Sequence, residues 1–147
     1  MPGWDLDSER IVTNVAQWGY DPARIHWLFL IHAHADHAGG AAALAAMTGC
    51  RVIGAAADAA LIAAGDEELL SLRAAKRNGT YPVDYRFRTH ADVAAAVDGE
   101  IFVVGDVSVQ AIHVPGHTPG STCYWWKPTV SDRCSAGTQC STAASSA

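Results

Sequence analysis

Ile31-His32-Ala33-His34-Ala35-Asp36-His37-Ala38-Gly39-Gly40 is the stretch that decides how this chain folds and what it can bind. His32, His34, Asp36 and His37 put four ligand-type side chains into one bend of backbone. The apolar run Trp27-Leu28-Phe29-Leu30-Ile31 leads into it and reads as a buried strand. The Gly-Gly pair bends the chain, and the alanine-rich segment 41–47 reads as a helix. On an extended backbone residues i and i+2 face the same side, so His32 and His34 present their imidazoles together. Asp36 and His37 stand where the chain turns into the helix and face a neighbouring point. One cation can sit on the first pair and a second on the other, and imidazole with carboxylate suits Zn²⁺. The competing reading, polar loop side chains without a metal, suits a lone histidine pair better than four ligand types at this density.

A second informative stretch is Pro115-Gly116-His117-Thr118-Pro119-Gly120-Ser121. A histidine bracketed by two Pro-Gly pairs sits in a stiff loop, which lowers the entropic cost of holding a ligand in place. On its own this is equally a turn histidine. His26 has no partner at ligand spacing and reads as a surface or hydrogen-bonded residue, His90 carries no ligand pattern, and His113, near His117 but on a strand, is a poorer ligand candidate.

The pattern at 32–37 resembles the His-x-His-x-Asp-His motif of the metallo-β-lactamase superfamily, zinc-dependent hydrolases built as an αββα sandwich. The resemblance covers roughly 4–126 and includes Asp98-Gly99-Glu100 and the hairpin ahead of His117. It implies that His117 joins His32 and His34 on one zinc. It also implies that Asp36 binds a second zinc and orients the nucleophile, with His37 helping to hold that ion. The chemistry implied is attack by a metal-activated hydroxide on an ester, thioester or lactam carbonyl, or on a phosphoryl centre. His117-Thr118-Pro119-Gly120-Ser121-Thr122 resembles the three-histidine lactamase subclass, so a β-lactam is one candidate substrate. Hydroxyacylglutathione-type thioesters and other small esters are equally open.

Three departures accompany the match. Ile31 stands where the family usually carries Ser or Thr before the first histidine, which removes a hydroxyl beside the ligands. No histidine follows His117, and Asp132 lies outside any strand-to-turn context, so neither the family's bridging Asp nor its last zinc-binding His has a counterpart. The first zinc site is therefore complete in sequence and the second deficient, with one tight zinc per chain expected. The family's first strands are also missing ahead of Trp4.

The expected fold class is thus α/β (α+β), a partial αββα sandwich over 1–128 without the N-terminal strands and most of the C-terminal half. Segment 129–147, rich in Ser, Thr, Ala, Gly and Cys, is expected to be a low-complexity, disordered tail. A truncated or frame-disrupted gene product is the expectation that follows. Two further readings stay open: a catalytically inactive remnant that binds metal, and an oligomeric module whose exposed apolar faces are completed by another chain.

Local patterns fill in the rest. Apolar Ile11, Val12, Val15 and Trp18 recur at helical spacing over 7–18, and Asp21-Pro22 opens a short turn. Segment 50–54 reads as a strand, and 55–72 as a helix interrupted near Gly65, with Asp66-Glu67-Glu68 as a solvated acidic patch. Segment 73–90, with Tyr81, Tyr85 and Phe87, reads equally as a substrate-covering flap or a plain surface connection. Ile101 to Val104 and Val107 to Val114 around Gly105-Asp106 form a hairpin, and Cys123 to Trp126 a following strand.

At 147 residues the chain is one domain's worth. A net charge of −5 argues against nucleic acid and anionic membrane as main partners, and a small-molecule substrate is what the resemblance implies. No run approaches the roughly eighteen apolar residues of a transmembrane helix, and the start has neither basic nor apolar signal-peptide regions. A cytoplasmic location is expected, or a periplasmic one if a leader has been lost. Cys50, Cys123, Cys134 and Cys140 form no metal knuckle and read as free thiols.

Overall fold

Along Arg51-Val52-Ile53-Gly54-Ala55, successive side chains point to opposite faces, and both faces are covered. Val52 packs with Leu30, Ile62, Leu70 and Leu72 on one side, while Ile53 packs with Ala96 and Ala111 on the other. A strand buried on both faces belongs in the middle of a layered domain. The computed structural model describes residues 5–129, and the side chains from Asp7 onward. The expected tail from residue 130 on, with Asp132, Cys134 and Cys140, lies outside the described residues.

The elements in order are α1 (Asp5–Gln17), a 3-10 turn (Pro22–Arg24), β1 (Trp27–Phe29), α2 (Ala35–Ala38), α3 (Ala41–Thr48), β2 (Arg51–Ala55), α4 (Ala56–Ala64), α5 (Leu72–Arg77), β3 (Val93–Ala96), β4 (Ile101–Val104), β5 (Val107–His113) and β6 (Thr122–Pro128). β1, β2 and β3 form a parallel sheet in that order, with Leu28 opposite Val52 and Ile53 opposite Ala94. β4, β5 and β6 form an antiparallel sheet, with Phe102 opposite Val109 and Ala111 opposite Tyr124. Trp27, Phe29, Phe102 and Tyr124 fill the space between the sheets, with ring centroids 5.0–5.7 Å apart in the Phe29–Tyr124, Phe29–Phe102 and Trp27–Phe102 pairs. Helices cover the other face of the parallel sheet. The outer face of the antiparallel sheet leaves Ile101, Val103 and Ile112 exposed, and no helix covers it among the described residues. The architecture is therefore three layers, α, β and β, of the expected four.

Several elements differ from the sequence reading. The helix expected over 55–72 stops at Ala64, because Gly65 takes a left-handed conformation at φ 66 and closes it. Leu70 and Leu72 are fully buried beyond it, and α5 starts at Leu72, the last residue of the expected helix, and continues to Arg77 through what reads as loop. β3 has no sequence counterpart: Val93-Ala94-Ala95-Ala96 is small-residue sequence, turned into strand by its pairing with β2. Tyr81 and Phe87 are buried in the helix-side core, so the segment carrying them is a strap anchored by its aromatics rather than a flap. Cys50 and Cys123 are free thiols. No helix of the described residues is long and apolar enough to cross a membrane.

Gly65 offers a direct test of why α4 ends. A Cβ there would stand 2.6 Å from Thr89 Cγ2. Gly65→Ala should lose about 1–2 kcal/mol for the left-handed backbone alone, and more for the clash. In a Thr89→Ser background the methyl is gone, and denaturant unfolding should show only the backbone part. Equal losses in both backgrounds would contradict this.

Candidate metal centre

The histidine stretch lies at the end of β1, and the second stretch leads into β6, so the sheets themselves deliver the two loops to one edge. Two contacts join them at their base. Thr122 N–H donates to Ile31 C=O at 2.8 Å, and the Tyr124 hydroxyl donates to Leu30 C=O at 3.2 Å. The Gly39-Gly40 bend is held from behind by α1, where buried Ser8 donates its hydroxyl to Gly40 C=O at 2.8 Å. His34 caps the N-terminus of α2, its carbonyl accepting from the N–H groups of His37 and Ala38, both at 2.9 Å.

These constraints gather the expected ligands. His32, His34 and His117 bring one ligand atom each within 4.8 Å of the others, and so do His32, Asp36 and His37. Ring centroids lie 4.7 Å apart for His32–His117, 4.5 Å for His34–His117 and 5.0 Å for His32–His34. Asp36 Oδ2 stands 3.5 Å from His37 Nε2. His32 is shared by both groups, so only Asp36 and His37 are free for a second ion. His26 is exposed, and His113 sits on β5 with its N–H donating to Asp98 Oδ1 at 2.8 Å; neither joins the cluster.

The electrostatics suit a cation. Burial lowers the pKa of His32 to about 4, helped by the neighbouring His37, His34 and His117 and opposed by Asp36. Burial also lowers His34, with His117 adding to it, and lowers His37 against the pull of Asp36. His32, His34 and His37 are therefore held in the neutral form that metal ligation requires. His37 Nδ1 is buried with no hydrogen-bond partner among the described residues. Clustered neutral imidazoles with one carboxylate are a donor set that fits zinc.

The residue that holds the arrangement together has no motif. Asp58, in α4, is 2% exposed. Its Oδ2 accepts from Ala33 N–H and from the Thr118 hydroxyl, and its Oδ1 from Gly120 N–H, each at 2.8 Å. One carboxylate thus grips both loops, between His32 and His34 on one and just past His117 on the other. Gly120 is required by this grip, since a Cβ there would stand 2.5 Å from Asp58 Cγ and Oδ1. Ser121 Oγ, which accepts from Thr118 N–H at 2.9 Å, stiffens the same loop. The one sequence signal for Asp58 is a solitary charge in the run Ala55-Ala56-Ala57-Asp58-Ala59-Ala60-Leu61-Ile62. A further contact, Ser71 Oγ at 3.1 Å from His34 Nε2, likewise has no sequence signature.

Comparison with known proteins agrees with this picture. The family profile described as the metallo-beta-lactamase superfamily matches residues 2–129. Among curated proteins, the hydroxyacylglutathione hydrolase of Methylococcus capsulatus is 33% identical over 96 residues, covering 65% of this chain and 27% of that protein. The hydroxyacylglutathione hydrolase of Anaeromyxobacter dehalogenans is 31% identical over 104 residues, covering 71% and 30%. Among solved structures, a metallo-beta-lactamase with a HARLDQ motif from Cronobacter sakazakii superposes with a TM-score of 0.73 at 32% identity, over 87% of this chain and 48% of that one. BJP-1, a subclass B3 metallo-beta-lactamase of Bradyrhizobium japonicum, gives 0.68 at 26% identity, over 84% and 44%. The chain thus spans under a third of these curated relatives and under half of these solved structures.

Two outcomes follow from the geometry. Asp58→Ala should cost about 3–5 kcal/mol, because it strands three buried donors; denaturant unfolding within 1 kcal/mol or so of wild type would contradict the grip. The second concerns pH. Unfolded imidazoles take up protons near their ordinary value of 6.5, but folded His32 does not until about 4. Below 6.5 the unfolded state binds more protons, so stability of the metal-free chain should fall as pH drops from about 6.5 towards about 4. A denaturation midpoint that is flat or rising across that window would contradict it.

Proposed function

Because the chain belongs to the metallo-beta-lactamase superfamily, we propose that it is a zinc-dependent hydrolase of small carbonyl substrates, with His32, His34 and His117 as the zinc ligands. One observation carries the reading: imidazoles from two loops more than eighty residues apart bring their ligand atoms within 4.8 Å of one another. His32, His34 and His117 would hold a zinc ion that would supply Lewis acidity, lowering the pKa of a water towards about 7 and polarising a carbonyl oxygen.

This chain's own residues do the rest. The Asp58 grip presets the separation of the loops, so the imidazoles need little reorganisation on binding. Asp36 is the catalytic candidate: exposed, at the rim of the cluster, its carboxylate accepts a hydrogen bond from a nucleophilic water and orients it. His37 steadies Asp36 across their 3.5 Å contact and, with it, serves a second cation. That second group leans on the shared His32, which supports one tightly held zinc per chain.

The substrate class follows the relatives. Curated relatives named hydroxyacylglutathione hydrolases favour an acyl-glutathione thioester, and the lactamase structures favour a β-lactam. A second reading, a chain that binds zinc without turning over substrate, is favoured by the incompleteness of the second group.

Purified chain should bind one zinc tightly and hydrolyse either an acyl-glutathione thioester or a chromogenic β-lactam. Chelator should abolish the activity and added zinc restore it, and His117→Ala should lower it by at least about 100-fold. One zinc with no turnover on either substrate establishes the second reading. Two tightly bound zincs would contradict the stoichiometry proposed here.

A further inference from the structure

Ser71 is, among the described residues, the one non-glycine residue with a left-handed backbone, at φ 57 and ψ 8. That conformation costs any residue with a Cβ free energy that glycine avoids. Ser71 stands just before α5, where a serine commonly turns its hydroxyl onto the first free N–H groups of the helix. Here it makes no such bond. Its Oγ lies instead 3.1 Å from His34 Nε2. The backbone around it is pinned to the histidine stretch: Ala35 N–H donates to Leu70 C=O at 3.2 Å, and the flanking Leu70 and Leu72 are both fully buried. Local preference at this position would choose glycine, so what serine adds is its hydroxyl.

We propose that Ser71 is a positioning residue for the metal centre. Its hydroxyl accepts from His34 Nε2–H, which selects that tautomer, fixes the ring plane and leaves Nδ1 as the nitrogen free to bind a cation. The opposite tautomer would carry its proton on Nδ1 and present no lone pair there. Strain at a ligand-holding residue is the pattern expected when surrounding structure enforces an unfavourable backbone for a side chain's sake. The role of Ser71 rests on the metal reading given above.

Ser71→Gly and Ser71→Ala separate positioning from simple packing, because the two roles predict opposite outcomes for glycine. Glycine relieves the backbone strain, so the metal-free Ser71→Gly chain should match or exceed wild type in denaturant stability. Both variants should nonetheless bind zinc about tenfold more weakly in competition with a chromophoric chelator. Nitrogen-15 NMR of the metal-free chains, with the imidazoles neutral, should show His34 protonated at Nε2 in wild type and as a mixture of tautomers in both variants. A Ser71→Gly chain that binds zinc as tightly as wild type, or an unchanged His34 tautomer, would overturn the proposal. If wild type itself takes up no zinc, the metal reading falls. The nitrogen shifts then still decide whether Ser71 controls His34.

Discussion

The Asp58 carboxylate is buried between two loops that supply the cluster's histidines, and a buried charge must be met by donors. Ala33 N–H comes from one loop, and the Thr118 hydroxyl and Gly120 N–H come from the other. Neither loop alone can satisfy the carboxylate, so its solvation in the interior requires the loops to be side by side. The distance between His34 and His117 is thereby settled by hydrogen bonds that involve neither side chain. Gly120 shows how tight the junction is, because even one methyl there would collide with the carboxylate.

From that junction the properties of the cluster follow. Holding His32, His34 and His37 in a partly dry corner favours their neutral forms, since each added proton would be desolvated. Neutral rings with fixed separations are poised for a cation before one arrives. The hydrogen bonds from Thr122 to Ile31 and from the Tyr124 hydroxyl to Leu30 extend the same junction down into the sheets. Ile31 illustrates how backbone can serve where a side chain does not. The family's usual hydroxyl is missing at that position, yet its carbonyl is the acceptor that joins the two loops.

The ligand-type residues were legible because their chemistry is local: residue type and a two-residue spacing on an extended backbone place His32 and His34 without tertiary information. The hairpin around Gly105-Asp106 was legible for the same reason. β3 was not, because alanine carries almost no strand signal and only pairing with β2 makes Val93–Ala96 extended. α5 was hidden because the helical reading of 55–72 runs through the turns between Gly65 and Ser71 and stops where α5 begins. Asp58 and Ser71 were invisible for a deeper reason. Their partners lie 60 and 37 positions away, and no short-range pattern reports contacts at that separation.

X-ray absorption at the zinc edge of the zinc-loaded chain tests the convergence of the two loops most directly. It should show three imidazole nitrogens at roughly 2.0–2.1 Å, falling to two in His117→Ala. A first shell holding no more than two imidazoles in wild type, unchanged by His117→Ala, would mean that the second loop contributes nothing to the metal.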